Sequence, residues 1–335
     1  MHRIARRTAP GHGAKSSRSN ASIWVGKALA AALLALSLVS AAADGERAAT
    51  ALASVVSVLP EWPSSAVRAA EPEGSGVAVL DGHYVITALH VVDRALSVRV
   101  KTVGGIIFGA EIIGRDRATD LALLRVAVPL PALAFADEPR LGEEVCALGN
   151  AFGLGVSVSC GVVSALHRSG VGFNGIEDFV QTDAAVNPGA SGGALVNGGG
   201  ELVGILSAIF TKQSDANIGV NFAVSAPLAD RVARELKASG RVRWLAAGMH
   251  LTAAPETGGT GRVGAHVASL APAGAAAAAG LKVGDLVVGA GRRAVHGPAD
   301  FVAALARVTA PGDLAVTVLR DGSEVTLTLR FDEDR

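Results

Sequence analysis

Asn187-Pro-Gly-Ala-Ser-Gly-Gly193 is the stretch of this chain best suited to chemistry. A serine acts as a nucleophile when its Oγ stands exposed on a sharp turn and backbone N–H groups face the oxyanion that its attack creates. Glycines on both sides of Ser191 permit that backbone and let a substrate carbonyl approach. His90, in Val85-Ile-Thr-Ala-Leu-His90, stands at the end of an expected strand, where an imidazole can face a cleft. Asp120, in Thr119-Asp-Leu-Ala122, comes just before an apolar strand. Each has an ordinary explanation when taken singly: a Gly-rich turn, a structural histidine, a solvated strand cap. Taken together they supply a nucleophile, a base and a carboxylate to orient it, the set that acyl transfer requires.

The elements that must position them read as short β segments separated by glycine. Val77 to Leu80 and Tyr84 to Thr87 flank Asp81-Gly82, a two-residue hairpin signal. Leu121 to Val126, Glu144 to Leu148, Val156 to Val163, Glu201 to Ala208 and Gly219 to Val224 continue the pattern. Many short strands at fairly even spacing predict a sandwich or barrel rather than a parallel sheet. Pro227 precedes a helical stretch, Leu228 to Ala238, with Val232 and Leu236 on one face and Gly240 as its stop. A smaller unit follows. In it Phe301, Leu305 and Val308 share a helical face behind Pro298, and Ala275 to Ala279 reads as a short packed helix. Leu314 to Arg320 and Glu324 to Arg330 alternate across Asp321-Gly322, a second hairpin.

Composition narrows the classes. At 335 residues and roughly 150 residues per domain, two domains are expected. Half of the residues are hydrophobic, which excludes a wholly disordered chain, and Lys+Arg equal Asp+Glu at 30 each, which leaves no electrostatic footprint for nucleic acid. The 41 glycines and 4% aromatics fit a loop-rich β architecture. His83, His167, His250, His266 and His296 lack metal-ligand spacing, so neither metal nor cofactor is expected. Residues 1–43 carry Arg and Lys but no acidic side chain, then an apolar run, Ala28 to Ala43, that ends in small residues before Asp44. That is the pattern of a secretory signal peptide, with an uncleaved membrane anchor or a mitochondrial presequence as the other readings. All three lead out of the cytosol.

The order His90, Asp120, Ser191 is that of the chymotrypsin-like proteases. Gly74-Ser-Gly-Val77, Ile86-Thr-Ala-Leu-His90-Val-Val92, Thr119-Asp-Leu-Ala122, Gly149-Asn-Ala-Phe-Gly-Leu154 and Gln181 to Leu195 resemble the HtrA (Deg) serine proteases in order and spacing. Ile218-Gly-Val-Asn-Phe-Ala223 resembles that family's segment near the specificity pocket. Ala271-Pro-Ala-Gly and Ala279-Gly-Leu-Lys-Val-Gly-Asp285 resemble its PDZ domain. The resemblance implies a mostly β chain. A chymotrypsin-like double β-barrel protease domain would span 44–240, and a small αβ PDZ domain 241–335. Three departures stand out. Ala190 replaces the family's usual Asn, Ala151 its usual Pro, and Gly291-Arg292 stands where an Asn-Gly turn is usual.

The resemblance further implies roles. Ser191 attacks the scissile carbonyl, His90 carries its proton to the leaving amine, and Asp120 holds the imidazole. The N–H groups of Gly189 and Ser191 bind the oxyanion, while Asp183 is structural. Trypsin-type pockets that select Arg or Lys have an aspartate where this chain has Ala185. With Ser207, Ala208, Ile209 and Val220 as walls, cleavage is expected after small or medium aliphatic residues of unfolded polypeptides. Ala247-Gly248-Met249 is the expected PDZ carboxylate loop, receiving C-terminal tails as an added strand, with a plain turn as the alternative. Cys146 and Cys160 flank a hairpin symmetric about Gly153, so a disulfide or two buried thiols are both open. Relatives are often trimers, so a homotrimer is a further implication. The expected function is an exported endopeptidase of periplasmic or envelope quality control. The alternatives are a proteolytically silent PDZ-bearing chaperone and an anchored regulatory protease with one signalling substrate.

Overall fold

Strands in the first half of the chain serve two apolar destinations at once. The computed structural model describes residues 50–63, 73–209, 219–253 and 263–332; the N-terminal signal or anchor segment lies outside the described residues. A first closed barrel runs from β1 (Val55–Glu61) through β2 (Gly74–Val79), β3 (Tyr84–Ala88), β4 (Ser97–Lys101) and β5 (Ile107–Asp116) to β6 (Leu121–Val126), in spatial order β1-β2-β3-β6-β5-β4. Side chains alternate along a strand. Ala122, Leu124 and Val126 therefore join Val56, Val58, Val85 and Val100 in a core built from this barrel alone. Leu121 and Leu123 face the other way, into a core shared with Leu148, Ile205 and Val224 of the second barrel. Both faces are buried from Leu121 to Leu124, which is why that part of β6 reads as a continuous apolar run before the exposed Arg125.

The second barrel is made of β7 (Glu144–Gly149), β8 (Ser157–Arg168), β9 (Phe179–Thr182), β10 (Ala194–Asn197), β11 (Leu202–Ile209) and β12 (Asn221–Ser225), ordered β10-β11-β12-β9-β8-β7. Between β3 and β4 lies α1 (Leu89–Val92); after β12 comes α2 (Ala226–Ser239). Leu228, Val232 and Leu236 of α2 are sealed in the core shared by the two barrels, each burial contributing roughly 1.5–3 kcal/mol. The third sheet contains β13 (Met249–Ala253), β14 (Ala265–Leu270), β15 (Leu286–Ala290), β16 (Arg293–Ala294), β17 (Gly312–Arg320) and β18 (Ser323–Phe331). Its path is β13-β14-β15-β17-β18, with β16 on β15. Two helices, α3 (Ala275–Ala278) and α4 (Pro298–Leu305), accompany it, and Phe301, Ala304 and Leu305 of α4 fill its core.

Three sequence expectations need correction. The hairpin at Asp81-Gly82 closes over four residues, because Val79 pairs with Tyr84 and Leu80 turns to φ 60° outside the strand. Val308 lies beyond the end of α4, where it still packs against the same core. β8 runs on to Arg168, past two register shifts against β9 that break the expected alternation after Val163. The Asp321-Gly322 turn joins β17 and β18 with Arg320 opposite Ser323.

Cys146 and Cys160 stand directly opposite on β7 and β8, their Cα atoms 4.0 Å apart, and form a disulfide. Buried free thiols are therefore not found, and Cys160 is exposed. The bridge closes a loop with a sequence separation of 14. Replacing both cysteines by serine is expected to lower stability by about 2–4 kcal/mol. In urea this reads as a lower midpoint.

Candidate active site

His90 is carried by the first turn of α1, and Asp120 is the turn residue just before β6. The backbone joins the two: the N–H of Leu89 donates to the Asp120 carbonyl at 2.7 Å. Asp120 then meets His90 twice. The His90 main-chain N–H donates to Oδ1 at 2.9 Å, and Nδ1 lies 2.5 Å from Oδ2. A carboxylate accepts only, so this bond places the proton on Nδ1 and leaves Nε2 as an acceptor for a substrate-side proton. Asp120 holds a left-handed backbone, φ 58°, which an Asp tolerates better than most residues.

The segment below Asp120 is braced from behind. Asp116 Oδ2 accepts both the main-chain N–H of Thr119 (3.0 Å) and its hydroxyl (2.6 Å), while Oδ1 accepts from Trp244 Nε1 at 3.0 Å. From the front, a loop after β8 leans on it. Ile176 donates its N–H to the Ala118 carbonyl, and Asn174 Nδ2 donates to that of Thr119. That loop is tied to Glu177, a buried carboxylate that accepts four backbone N–H groups, from Val171, Gly172, Phe173 and Asn174, at 2.6–3.0 Å. Phe173 and Asn174 are thereby set against His90, Asp93, Arg117, Asp120 and Ser207 around a cleft of about 400 Å³.

Ser191 approaches from the second barrel. Its Oγ lies 3.5 Å from the Ser207 carbonyl, and Ser207 also lines the cleft of His90 and Asp120. The serine turn presses on its surroundings. Gly189 (φ 91°) and Gly192 (φ 84°) take conformations that side chains disfavour. At Gly192 a methyl group would overlap the Ser75 carbonyl and the Thr87 hydroxyl. The Ser191 carbonyl accepts from Ser75 N–H at 2.9 Å, so the two barrels are hydrogen-bonded at the serine itself.

Of the expected pocket residues, Ser207 is buried in β11 and Val220 is half-buried just before β12. The strand register sets Ala208 opposite Phe222 and Ile209 opposite Asn221; their side chains lie outside the described part. Ala185 is exposed, its N–H donated to Ser159 Oγ at 3.0 Å. The buried Asn221 Nδ2 donates to the Ala184 carbonyl at 2.8 Å and so ties the Ala184–Ala185 segment to β12. Asp183 accepts the Val162 N–H at 2.7 Å across β8. In the third sheet, the Ala247 and Gly248 carbonyls accept from Ala276 and Ala271, fixing the loop before β13. β13 stands at the end of the sheet path with α4 beside it.

Ser75, Glu177 and Asn221 escape sequence reasoning as site residues. Each acts on backbone distant in sequence or within a loop, a role without a local signature. Among the described residues no cluster of His, Cys, Asp and Glu could hold a metal, and no helix is long and apolar enough to cross a membrane.

Comparison with known proteins agrees with this fold. A model of a trypsin-like peptidase domain matches residues 74–205, and a PDZ domain model matches 216–330. The chain is 36% identical over 270 residues to the periplasmic serine endoprotease DegP of Escherichia coli (strain K12), covering 78% of this chain and 57% of that protein. It thus spans little more than half the length of that relative. Against the serine endoprotease DegS of the same organism, identity is 33% over 271 residues, covering 78% of this chain and 76% of DegS. Among solved structures, the HtrA-type protease AlgW with a tripeptide superposes with a TM-score of 0.67 at 32% identity, covering 86% of this chain and 96% of AlgW. A serine endoprotease from Yersinia pestis gives 0.58 at 31%, with coverage of 86% and 97%.

Proposed function

The chain belongs to the HtrA-type (Deg) serine protease family, and on that premise we propose that it is an exported endopeptidase that cleaves unfolded polypeptides in the periplasm or cell envelope. The observation that carries this reading is the doubly bonded His90–Asp120 pair, facing a cleft lined from the other barrel by Ser207, whose carbonyl lies 3.5 Å from Ser191 Oγ. Ser191 is the nucleophile. His90 Nε2 takes its proton and later delivers it to the leaving amine, and Asp120 stabilises the imidazolium. The N–H groups of Gly189 and Ser191 receive the oxyanion.

By the family resemblance, Ala185 stands at the pocket position and the mostly apolar sequence Ser207-Ala-Ile209 with Val220 supplies the expected walls, which favours small or medium aliphatic side chains before the cut. The protease domain is assigned to 44–240, because α2 packs into the core shared by the barrels; the PDZ domain is assigned to 241–335. A C-terminal tail adds to the edge of β13 with its carboxylate at Ala247-Gly248-Met249. The AlgW structures hold a tripeptide or a decapeptide, which supports a polypeptide ligand here too. The periplasmic naming of DegP, together with the basic and apolar N-terminus, supports export.

Purified chain incubated with unfolded casein should release acid-soluble peptides. A fluorophosphonate should label Ser191 alone and stop release in proportion to labelling. A folded chain that neither cleaves nor labels, even with apolar C-terminal peptides added, would point to the proteolytically silent binding protein instead.

A further inference from the structure

Three consecutive carbonyls precede the nucleophile, and each has its own donor. The Pro188 carbonyl accepts the Phe152 N–H at 2.7 Å, and the Ala190 carbonyl accepts the Gly193 N–H at 2.9 Å. The middle carbonyl, of Gly189, accepts the Ser75 hydroxyl at 2.8 Å. In a trans peptide the N–H points away from the C=O of the same unit. Fixing the Pro188 carbonyl therefore directs the Gly189 N–H to the opposite side, and fixing the Ala190 carbonyl does the same for the Ser191 N–H. Those two N–H groups are the oxyanion donors of the proposed mechanism, and the peptide between them is held by a side chain.

Ser75 is fully buried and is itself immobilised. Its Oγ accepts the Asn150 N–H at 2.8 Å, its carbonyl accepts Thr87 Oγ1 at 2.6 Å, and its N–H donates to the Ser191 carbonyl at 2.9 Å. The hydroxyl thus has one donor position, committed to Gly189, and an acceptor position committed to the loop that supplies Phe152. We propose that the Ser75 hydroxyl is a positioning group for catalysis, locking the Gly189–Ala190 peptide so that both flanking N–H groups converge on the oxyanion. The inference rests on the serine-protease reading. It assigns Ser75, from the opposite barrel, a part in transition-state binding without contact to substrate.

The test is Ser75→Ala beside wild type and Ser191→Ala, with an aliphatic peptide substrate and a peptide aldehyde. The aldehyde forms a hemiacetal with the serine whose oxygen occupies the oxyanion position. Misplaced donors are expected to lower kcat about tenfold to a hundredfold, with KM changed less than about threefold. The inhibition constant of the aldehyde should rise by the same factor as kcat falls. Ser75→Thr, which keeps the hydroxyl, should recover most of the loss. Should Ser75→Ala not stay folded at the assay temperature, Ser75→Cys decides, its weak S–H donor giving intermediate kcat and aldehyde binding. Kcat and aldehyde affinity within twofold of wild type in a folded Ser75→Ala, or in Ser75→Cys when that variant decides, overturn the inference and leave the protease reading standing. Wild-type activity no higher than that of Ser191→Ala removes both.

Discussion

Ser191→Ala is expected to lower kcat on unfolded casein by about a millionfold, the scale at which loss of a serine nucleophile removes the covalent route. Stability should barely move, because Ser191 Oγ has a carbonyl contact of 3.5 Å, at the outer limit of a hydrogen bond. A melting curve superimposable on wild type with no casein cleavage is therefore the expected pair of results. Cleavage persisting in the variant would transfer the nucleophile elsewhere. Asp120→Asn separates orientation from nucleophilicity on the same site. An amide can still hold the imidazole, yet it favours the other tautomer, and the expected loss is about ten-thousandfold in kcat. Together the two variants ask whether His90 acts on Ser191 under the control of Asp120.

The chemistry of this chain was legible where a residue type is needed for its own sake. Ser191 between glycines, His90 at a strand end and Asp120 before an apolar strand announce themselves, and β6 and the Asp321-Gly322 hairpin follow from local pattern. What positions them was not legible. Ser75 reaches Gly189 across 114 positions and Asn150 across 75, so no window of sequence contains either bond. Glu177 looks like a surface acid until its loop folds back and gives it four N–H donors. β8 is longer than its local pattern predicts, because register shifts after Val163 disrupt the period that identifies a strand. Gly291-Arg292 stands out as a departure from the family, but the arginine beside it that matters to the fold, Arg293, has its partner 115 positions away.

That partner is Asp178, and removing it is the largest stability effect expected in the molecule. Its side chain has no exposed surface, and Arg293, the first residue of β16, meets it with both Nη atoms at 2.9 Å. Ser225 Oγ donates to Oδ2 at 2.8 Å, His167 Nδ1 lies 3.5 Å from Oδ1, and Arg307 Nε lies 3.8 Å from Oδ2. Glu138 faces the same cations, 2.9 Å from Arg307, 3.4 Å from His167 and 3.8 Å from Arg293. Burial opposes ionisation of Asp178 most strongly. The close approach of His167 and the hydrogen bond from Arg293, with the Arg293 and Arg307 charges, outweigh it and hold the carboxyl far below the usual carboxylate range. Asp178→Ala leaves a nearly buried guanidinium without its main counter-charge, which typically costs about 3–5 kcal/mol. Urea denaturation at neutral pH should show this as a large fall in midpoint. The sign of the pH dependence follows from the lowered pKa. The contribution is complete above the unfolded-state value of about 3.9 and is lost as pH falls from there through the folded value. The gap between wild type and Asp178→Ala should therefore stay constant from about pH 5 to 7 and narrow only in acid. A gap that changes across neutral pH would assign the effect to His167 rather than to the carboxylate. Because Asp178 adjoins Glu177, which holds Phe173 and Asn174 at the cleft, a fall in activity at temperatures where Asp178→Ala remains folded would show that this ion pair also supports the catalytic loop.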